Sequence, residues 1–212
     1  MNPPLQPRRE VKNMIYLLSD LHGKLDFAGW QEYKNRTDSD EVLILLGDVR
    51  LAEPEVPDNA QFTEEILSIK KPVWIVDGNH ENFEYLNSMP EEDWNGGKVH
   101  RLTDNILHLQ RGYVYTIAGK KFFIFGGTSP LITEEELNRG YENLKKHDLC
   151  VDFVLTHDYY TRRDPENIKP FEKLLDFIDE KVEFQQWYCG HHHVNKAWDE
   201  KHTVVYDILK PI

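Results

Sequence analysis

Apolar residues gather in short runs within 11–19, 41–46 and 73–76, and each run ends abruptly in glycine or in polar, chemically capable side chains. Runs of this length, rich in Val, Ile and Leu, predict strands buried on both faces. Between them, residues 27–33 and roughly 61–69 are spaced for helices, with Pro54 and Pro57 marking the loop ahead of the second. The resulting βαβαβ order implies a mainly parallel sheet, since parallel neighbours need a crossover that a helix supplies. The fold class is α/β.

Further along, a short helix at 83–87 gives way to a polar loop through Pro90, Gly96 and Gly97. From 106 to 125 the pattern turns to alternation, with Tyr113, Tyr115 and Ile117 on one face and Gly119-Lys120 as a turn, so antiparallel strands are predicted up to Gly126-Gly127. Thr133 stands three residues before Glu136, the spacing of a capping box that opens a polar surface helix to about residue 146. A buried strand at 151–155, a helix at 170–181, a strand at 184–189 and a final strand at 203–209 complete the chain, which has no internal repeat.

With 212 residues, 40% hydrophobic and 12% aromatic, the chain can fill one core, and one domain over 11–212 is expected. Residues 1–10, with Pro3, Pro4 and Pro7, have little to bury and are expected to be a flexible segment. No window has the apolar length of a bilayer span, and the start lacks the apolar stretch of a secretory signal, so no membrane partner and a cytoplasmic location are expected. Cys150 and Cys189 both lie in apolar runs and read as reduced core residues. The formal charge of −12 disfavours nucleic acid as a partner. It does not exclude a phosphorylated substrate, because bound divalent cations dominate the field near them.

The strand ends carry the chemistry. They read Asp20-x-His22, Gly47-Asp48, Gly78-Asn79-His80-Glu81, His157 and Gly190-His191-His192-His193. In an open α/β sheet such tips converge at the carboxyl ends of the strands. Asp20 and His22, two apart in an extended segment, can face one cleft while Leu21 faces the core. Oxygen and nitrogen donors without a thiolate suit Mn, Fe or Zn better than Ca or Mg.

This series of motifs, in this order from residue 20 to 193, resembles the calcineurin-like metallophosphoesterase superfamily, whose signature is D-x-H, G-D, G-N-H-[ED], H and G-H-x-H. The resemblance implies a two-sheet αββα sandwich with mixed sheets and two divalent metal ions, manganese first, with Fe or Zn as alternatives. On the family's pattern Asp20, His22, Asp48 and His193 hold one ion, and Asp48, Asn79, His157 and His191 hold the other. Asp48, alone on its loop, is the natural bridge. His80 stands beside the ions and assists the leaving group, while a metal-bridging hydroxide attacks phosphorus in line. The implied activity is metal-dependent hydrolysis of a phosphate-ester substrate, a phosphatase first, with a phosphodiesterase or nuclease, or a non-catalytic scaffold of the same fold, as alternatives.

Around this set, Glu81 is expected to orient His80 or a neighbouring ligand, Asp158 to orient His157 or to sit solvated in its turn, and Asp77 to be structural. His192 points away if its segment is extended, and His100, His108, His147 and His202 read as surface or packing residues. Many family members carry a second acid three residues after the bridging aspartate, and Leu51 stands there instead. Arg50 and Arg162 are the candidates for binding substrate phosphate, or for surface pairing, with Arg163, Tyr159, Tyr160 and the Gly126-Gly127-Thr128 turn as further rim.

Overall fold

The structure, a computed structural model, describes residues 14–38, 41–56, 58–128, 131–159 and 168–212. The segment 1–10 and the candidates Tyr160, Arg162 and Arg163 lie outside the described residues. In chain order the elements are β1 (Met14–Leu18), α1 (Ala28–Asn35), β2 (Glu41–Leu46), α2 (Asn59–Ser68), β3 (Val73–Val76), α3 (Phe83–Ser88), β4 (Glu91–Trp94), β5 (Gly97–Arg101) and β6 (Ile106–Leu109). They continue as β7 (Tyr113–Ile117), β8 (Lys120–Phe125), α4 (Glu134–Lys146), β9 (Phe153–Thr156), α5 (Pro170–Lys181), β10 (Gln186–Cys189), β11 (Lys196–Ala197), β12 (His202–Val204) and β13 (Lys210–Pro211).

The strands form two mixed sheets, ordered β13-β1-β2-β3-β6-β5-β4 and β11-β12-β10-β9-β8-β7. The apolar runs are unbroken because both faces of the central strands are covered. Ile15, Leu17, Val42, Ile44, Leu46 and Val76 meet Tyr115, Phe122, Ile124 and Leu155 of the other sheet. The alternate residues Tyr16, Leu18, Leu43, Leu45 and Ile75 pack on Trp30 and Tyr33 of α1 and on Phe62 and Ile66 of α2. On the second sheet Phe123, Phe125, Val154 and Trp187 turn outward to Leu144 of α4 and to Phe171, Leu174 and Ile178 of α5. Helices, sheet, sheet and helices therefore stack as an αββα sandwich, the strand period of two sorting side chains between layers. Each fully buried Leu, Ile or Phe contributes about 1.5–3 kcal/mol. Thr133 caps α4 in a capping box with Glu136.

Three expectations are corrected. Residues 91–101 form an antiparallel hairpin in place of a polar loop, with Trp94 opposite Gly97 across Asn95-Gly96, both at positive φ. Asn-Gly is the usual hairpin turn, but the strands beside it are polar, and charge pairs such as Lys98 with Glu91 (2.7 Å) take the place of apolar alternation. This polar β4 is an edge strand guarded by charge. Next, β6 does not join β7 and β8 but pairs parallel with β3 and antiparallel with β5 in the first sheet. Finally, the strand expected at 203–209 is split: β12 lies beside β10, and the chain then crosses so that β13 pairs antiparallel with β1.

Cys150 and Cys189 are both free thiols, but Cys150 is exposed and only Cys189 is a core residue. Among the described residues no helix is long and apolar enough to cross a membrane.

Candidate metal centre

The loops after β1, β2 and β10 are shaped by left-handed backbone, which spacing alone does not reveal. Asp20, His22, Asp48, Arg50, His191 and His193 all have φ between 49 and 67°. Leu21 is fully buried, as an extended reading of Asp20-Leu21-His22 requires, yet the chain here coils and is not extended. Asp20 N–H donates to Gly47 O (3.0 Å) and His22 N–H to Asp48 O (2.8 Å), so the first loop is pinned on the second. Close approach also demands glycine: a Cβ on Gly47 would overlap the His157 ring, and one on Gly78 the Asp48 carboxylate.

Two groups of donors result, Asp20 with His22 and His193, and Asp48 with His157 and His191, the donor atoms within each lying within 4.8 Å of one another. Asp48 faces both, with Oδ2 3.7 Å from His22 Nε2 and Oδ1 3.4 Å from His157 Nε2. Asn79 joins the second group, its Oδ1 3.1 Å from His157 Nε2, and His191 Nδ1 lies 3.2 Å from the same atom. In the first group His22 Nε2 and His193 Nε2 are 3.0 Å apart, and His193 Nε2 is 3.4 Å from Asp20 Oδ1.

These residues fit divalent cations on three observations. Asp20 Oδ1 is buried without a hydrogen-bond partner among the described residues, a costly state for a carboxylate oxygen unless a cation meets it. His157 Nδ1 donates to Leu46 O (2.7 Å), which turns the ring so that Nε2 faces Asp48 and Asn79. The donors are carboxylate, amide and imidazole, with no thiolate among them.

The electrostatics set the rings apart, because without a cation the Asp48 carboxylate keeps a proton on His157 that a bound metal would displace. Burial disfavours the His157 imidazolium, but the hydrogen bond and charge of Asp48 outweigh it and carry the ring's pKa up to about 9. Burial would likewise raise the Asp48 carboxyl, and His157 instead holds it well below the usual carboxylate range. Burial lowers His22 and His191, favouring the neutral rings that ligate metals.

His80 is exposed at the mouth, its ring centroid 5.8 Å from that of His22, and its backbone N–H donates to Asp48 Oδ1 (2.8 Å). Arg50 borders the loop after β2, and its Nε is buried without a hydrogen-bond partner among the described residues. Glu81 bonds neither His80 nor a ligand side chain: its Oε1 accepts from Val49 N–H (3.0 Å) and Gly78 N–H (3.2 Å), and its Oε2 from Arg50 N–H (2.8 Å). Thus it holds the backbone of the Asp48 loop. Asp158 faces His192 Nε2 (3.5 Å) and not the His157 ring. Gly127 N–H donates to Asp77 O (2.7 Å) and Gly126 packs on the same residue, so these glycines make room for the protein's own chain.

Two supports of the site leave no mark in the sequence. Tyr206 stacks on His193, and the Leu46 carbonyl fixes the His157 ring. The first carries no sequence signal, and the second is backbone, which any residue supplies.

The sequence model of a family described as calcineurin-like phosphoesterase matches residues 14–195. No curated protein matches the chain significantly. Among solved structures, a phosphopantetheinyl hydrolase from Mycobacterium tuberculosis is similar at 16% identity and a TM-score of 0.49, over 96% of each chain. A protein of unknown function from Aquifex aeolicus is similar at 16% identity and a TM-score of 0.39, over 82% of this chain and 88% of that one.

Proposed function

The chain belongs to the calcineurin-like phosphoesterase family, a family of metal-dependent hydrolases of phosphoester bonds, and from that premise we propose that it is a phosphatase acting on phosphate monoesters with two divalent ions. The observation that carries this reading is the pair of donor groups with Asp48 between them. Asp20, His22, Asp48 and His193 would hold one ion, and Asp48, Asn79, His157 and His191 the other. Mixed carboxylate, amide and imidazole donors suit manganese, iron or zinc better than calcium or magnesium, and manganese is the ion to try first. When bound, such a pair withdraws charge from the phosphoryl oxygens and makes water a competent nucleophile near neutral pH.

The protein's own residues do the rest. The Asp48 carboxylate is positioned by the His80 N–H, and its loop by Glu81. Asp20 is positioned by the His191 N–H, which donates to its Oδ2 (2.9 Å). His80, exposed beside the first group, hands a proton to the oxygen of the departing alcohol. Arg50 supplies a guanidinium to the phosphate oxygens, a match of fork to acceptor pair.

The test is hydrolysis of a chromogenic phosphomonoester and its matching diester by chelator-stripped protein refilled with manganese. Turnover of the monoester should dominate. His80→Ala should keep both ions and lose about 10²- to 10⁴-fold in kcat, whereas Asp48→Asn should lose metal. Full turnover by His80→Ala with normal metal content overturns the role given to His80, and preference for the diester overturns the phosphatase reading.

A further inference from the structure

A cavity of about 270 Å³ opens on the same rim of the fold as the candidate metal centre. Its floor is Asp77, directly after β3, and Arg111, just beyond β6, and these two strands run parallel side by side. Asp77 belongs to the loop that carries Asn79 and His80, and Phe83, on the first turn of α3, is a wall. The cavity therefore adjoins the loop that carries Asn79 and His80, and none of the donor residues lines it.

The charges in this cavity are not equally committed. Arg111 is buried and spent, its Nε on Asp77 Oδ2 (2.7 Å), its Nη2 on the same carboxylate, and its Nη1 on Leu131 O (3.0 Å) and Glu136 Oε1 (3.3 Å). Arg139 differs. Its Nε donates to Arg111 O (2.8 Å) and its guanidinium lies over the Tyr113 ring at 4.9 Å. Its two terminal nitrogens have no hydrogen bond or ion pair among the described residues. A guanidinium held at one edge and free at the other is pre-organised to take a planar or tetrahedral oxyanion in bidentate fashion. The Phe83 ring, over which the Arg111 guanidinium lies at 5.3 Å, adds apolar surface for a short carbon chain. Cavities for drug-sized ligands run from about 300 Å³ upward, so this one suits a small group.

We propose that this cavity binds the leaving group of the substrate, and that the leaving alcohol carries a second oxyanion, a carboxylate or a phosphate, held by Arg139. The proposal rests on the phosphatase reading, and its test separates the two. Manganese-loaded protein is assayed on glycerol 3-phosphate, on 3-phosphoglycerate, which replaces the terminal hydroxymethyl by a carboxylate, and on propane-1,3-diol bisphosphate. At least one oxyanion ester should exceed glycerol 3-phosphate in kcat/KM by about tenfold or more, the worth of one charge-assisted hydrogen bond. Which of the two does so identifies carboxylate or phosphate as the natural group. In Arg139→Gln that ratio should collapse to about threefold or less, mainly through KM, and Arg139→Lys should restore part of it. Hydrolysis of all three esters without an oxyanion advantage, or an advantage that survives Arg139→Gln, overturns the cavity's role alone. Hydrolysis of none of the three while the chromogenic monoester is turned over also overturns the cavity's role, and no turnover of the chromogenic monoester either overturns the phosphatase reading with it.

Discussion

His193 lies flat against Tyr206, the ring centroids 5.0 Å apart and the planes within 3° of parallel. His193 is the exposed member of its donor group, so this phenol ring is the wall that fixes its plane. Phe27 in turn braces Tyr206 edge-on at 5.3 Å. Losing the outer support of a metal ligand typically costs about 10- to 100-fold in affinity, and a stacked pair is worth about 0.5–1.5 kcal/mol. Tyr206→Ala should therefore weaken manganese binding by about tenfold, and Tyr206→Phe should leave it nearly intact. Calorimetric titration of stripped protein reads both, and an unchanged affinity in the alanine variant would show that the backbone alone places His193.

Gly78 has no room for a side chain, because a Cβ there would overlap Asp48 Oδ1 and the Asp48 backbone nitrogen. Gly78→Ala is expected to destabilise the fold by about 1–3 kcal/mol, the usual cost of overpacking, and to displace Asp48 so that metal content falls. Gly119→Ala is the matched control. Nothing lies within 4 Å of that Cβ, and only the left-handed φ of 77° opposes it, which costs about 1–2 kcal/mol. Thermal unfolding together with metal analysis separates the two: both variants melt lower, and only the first loses metal.

Asp77 and Arg111 form a buried ion pair at the end of β3, with His108 Nε2 3.3 Å from the other carboxylate oxygen. Burial by itself would raise the Asp77 carboxyl, but the Arg111 charge and then His108 hold it well below the usual carboxylate range. A carboxyl depressed in the folded state contributes stability that is complete above its unfolded pKa, about 3.9, and that fades as pH falls below it toward the folded value. Asp77→Asn, which leaves Arg111 with Glu136 as its remaining counter-charge, should cost about 2–4 kcal/mol at neutral pH. The gap in urea midpoint to the parent protein should begin to close below about pH 4. A gap that stays constant into acid would assign the loss to packing.

Glu81 has the opposite shift. Burial pushes its carboxyl up to about 7, with the N–H groups of Val49, Arg50 and Gly78 pulling the other way. A carboxyl raised in the folded state favours folding below its unfolded pKa, about 4.3, and that contribution is lost as pH rises through the folded value. In stripped protein Glu81→Gln should therefore abolish a decline in stability between about pH 4 and about pH 7. Glu81→Ala, which leaves three N–H groups without their acceptor, should cost about 2–4 kcal/mol. Identical pH profiles for the parent and Glu81→Gln would exclude a titrating Glu81.

Much of this arrangement is legible in the chain. The apolar runs before Asp20, Asp48 and Asn79 are β1, β2 and β3, paired in parallel, because burial on both faces leaves an unbroken hydrophobic signature. The capping box at Thr133 and Glu136 is local chemistry and reads directly. What is hidden depends on the third dimension. The strands around Asn95-Gly96 are stabilised by charge pairs that leave no periodicity. Residues 203–211 pass from one sheet to the other, which no local pattern encodes. The role of Glu81 follows from where three backbone N–H groups point, and nothing in Gly78-Asn79-His80-Glu81 reveals that.

The left-handed backbone at Asp20, His22, Asp48, His191 and His193 constrains how this surface could change over generations. Each residue there, lacking glycine's freedom, costs about 1–2 kcal/mol of conformational free energy, somewhat less for aspartate. Under selection for thermal endurance alone these positions would drift to glycine or asparagine, and the protein would grow sturdier as it lost its donors. Keeping histidine and aspartate at these bends therefore requires selection for something other than folding. A mutational library sorted once for stability and once for metal retention should rank substitutions at these five positions in opposite orders.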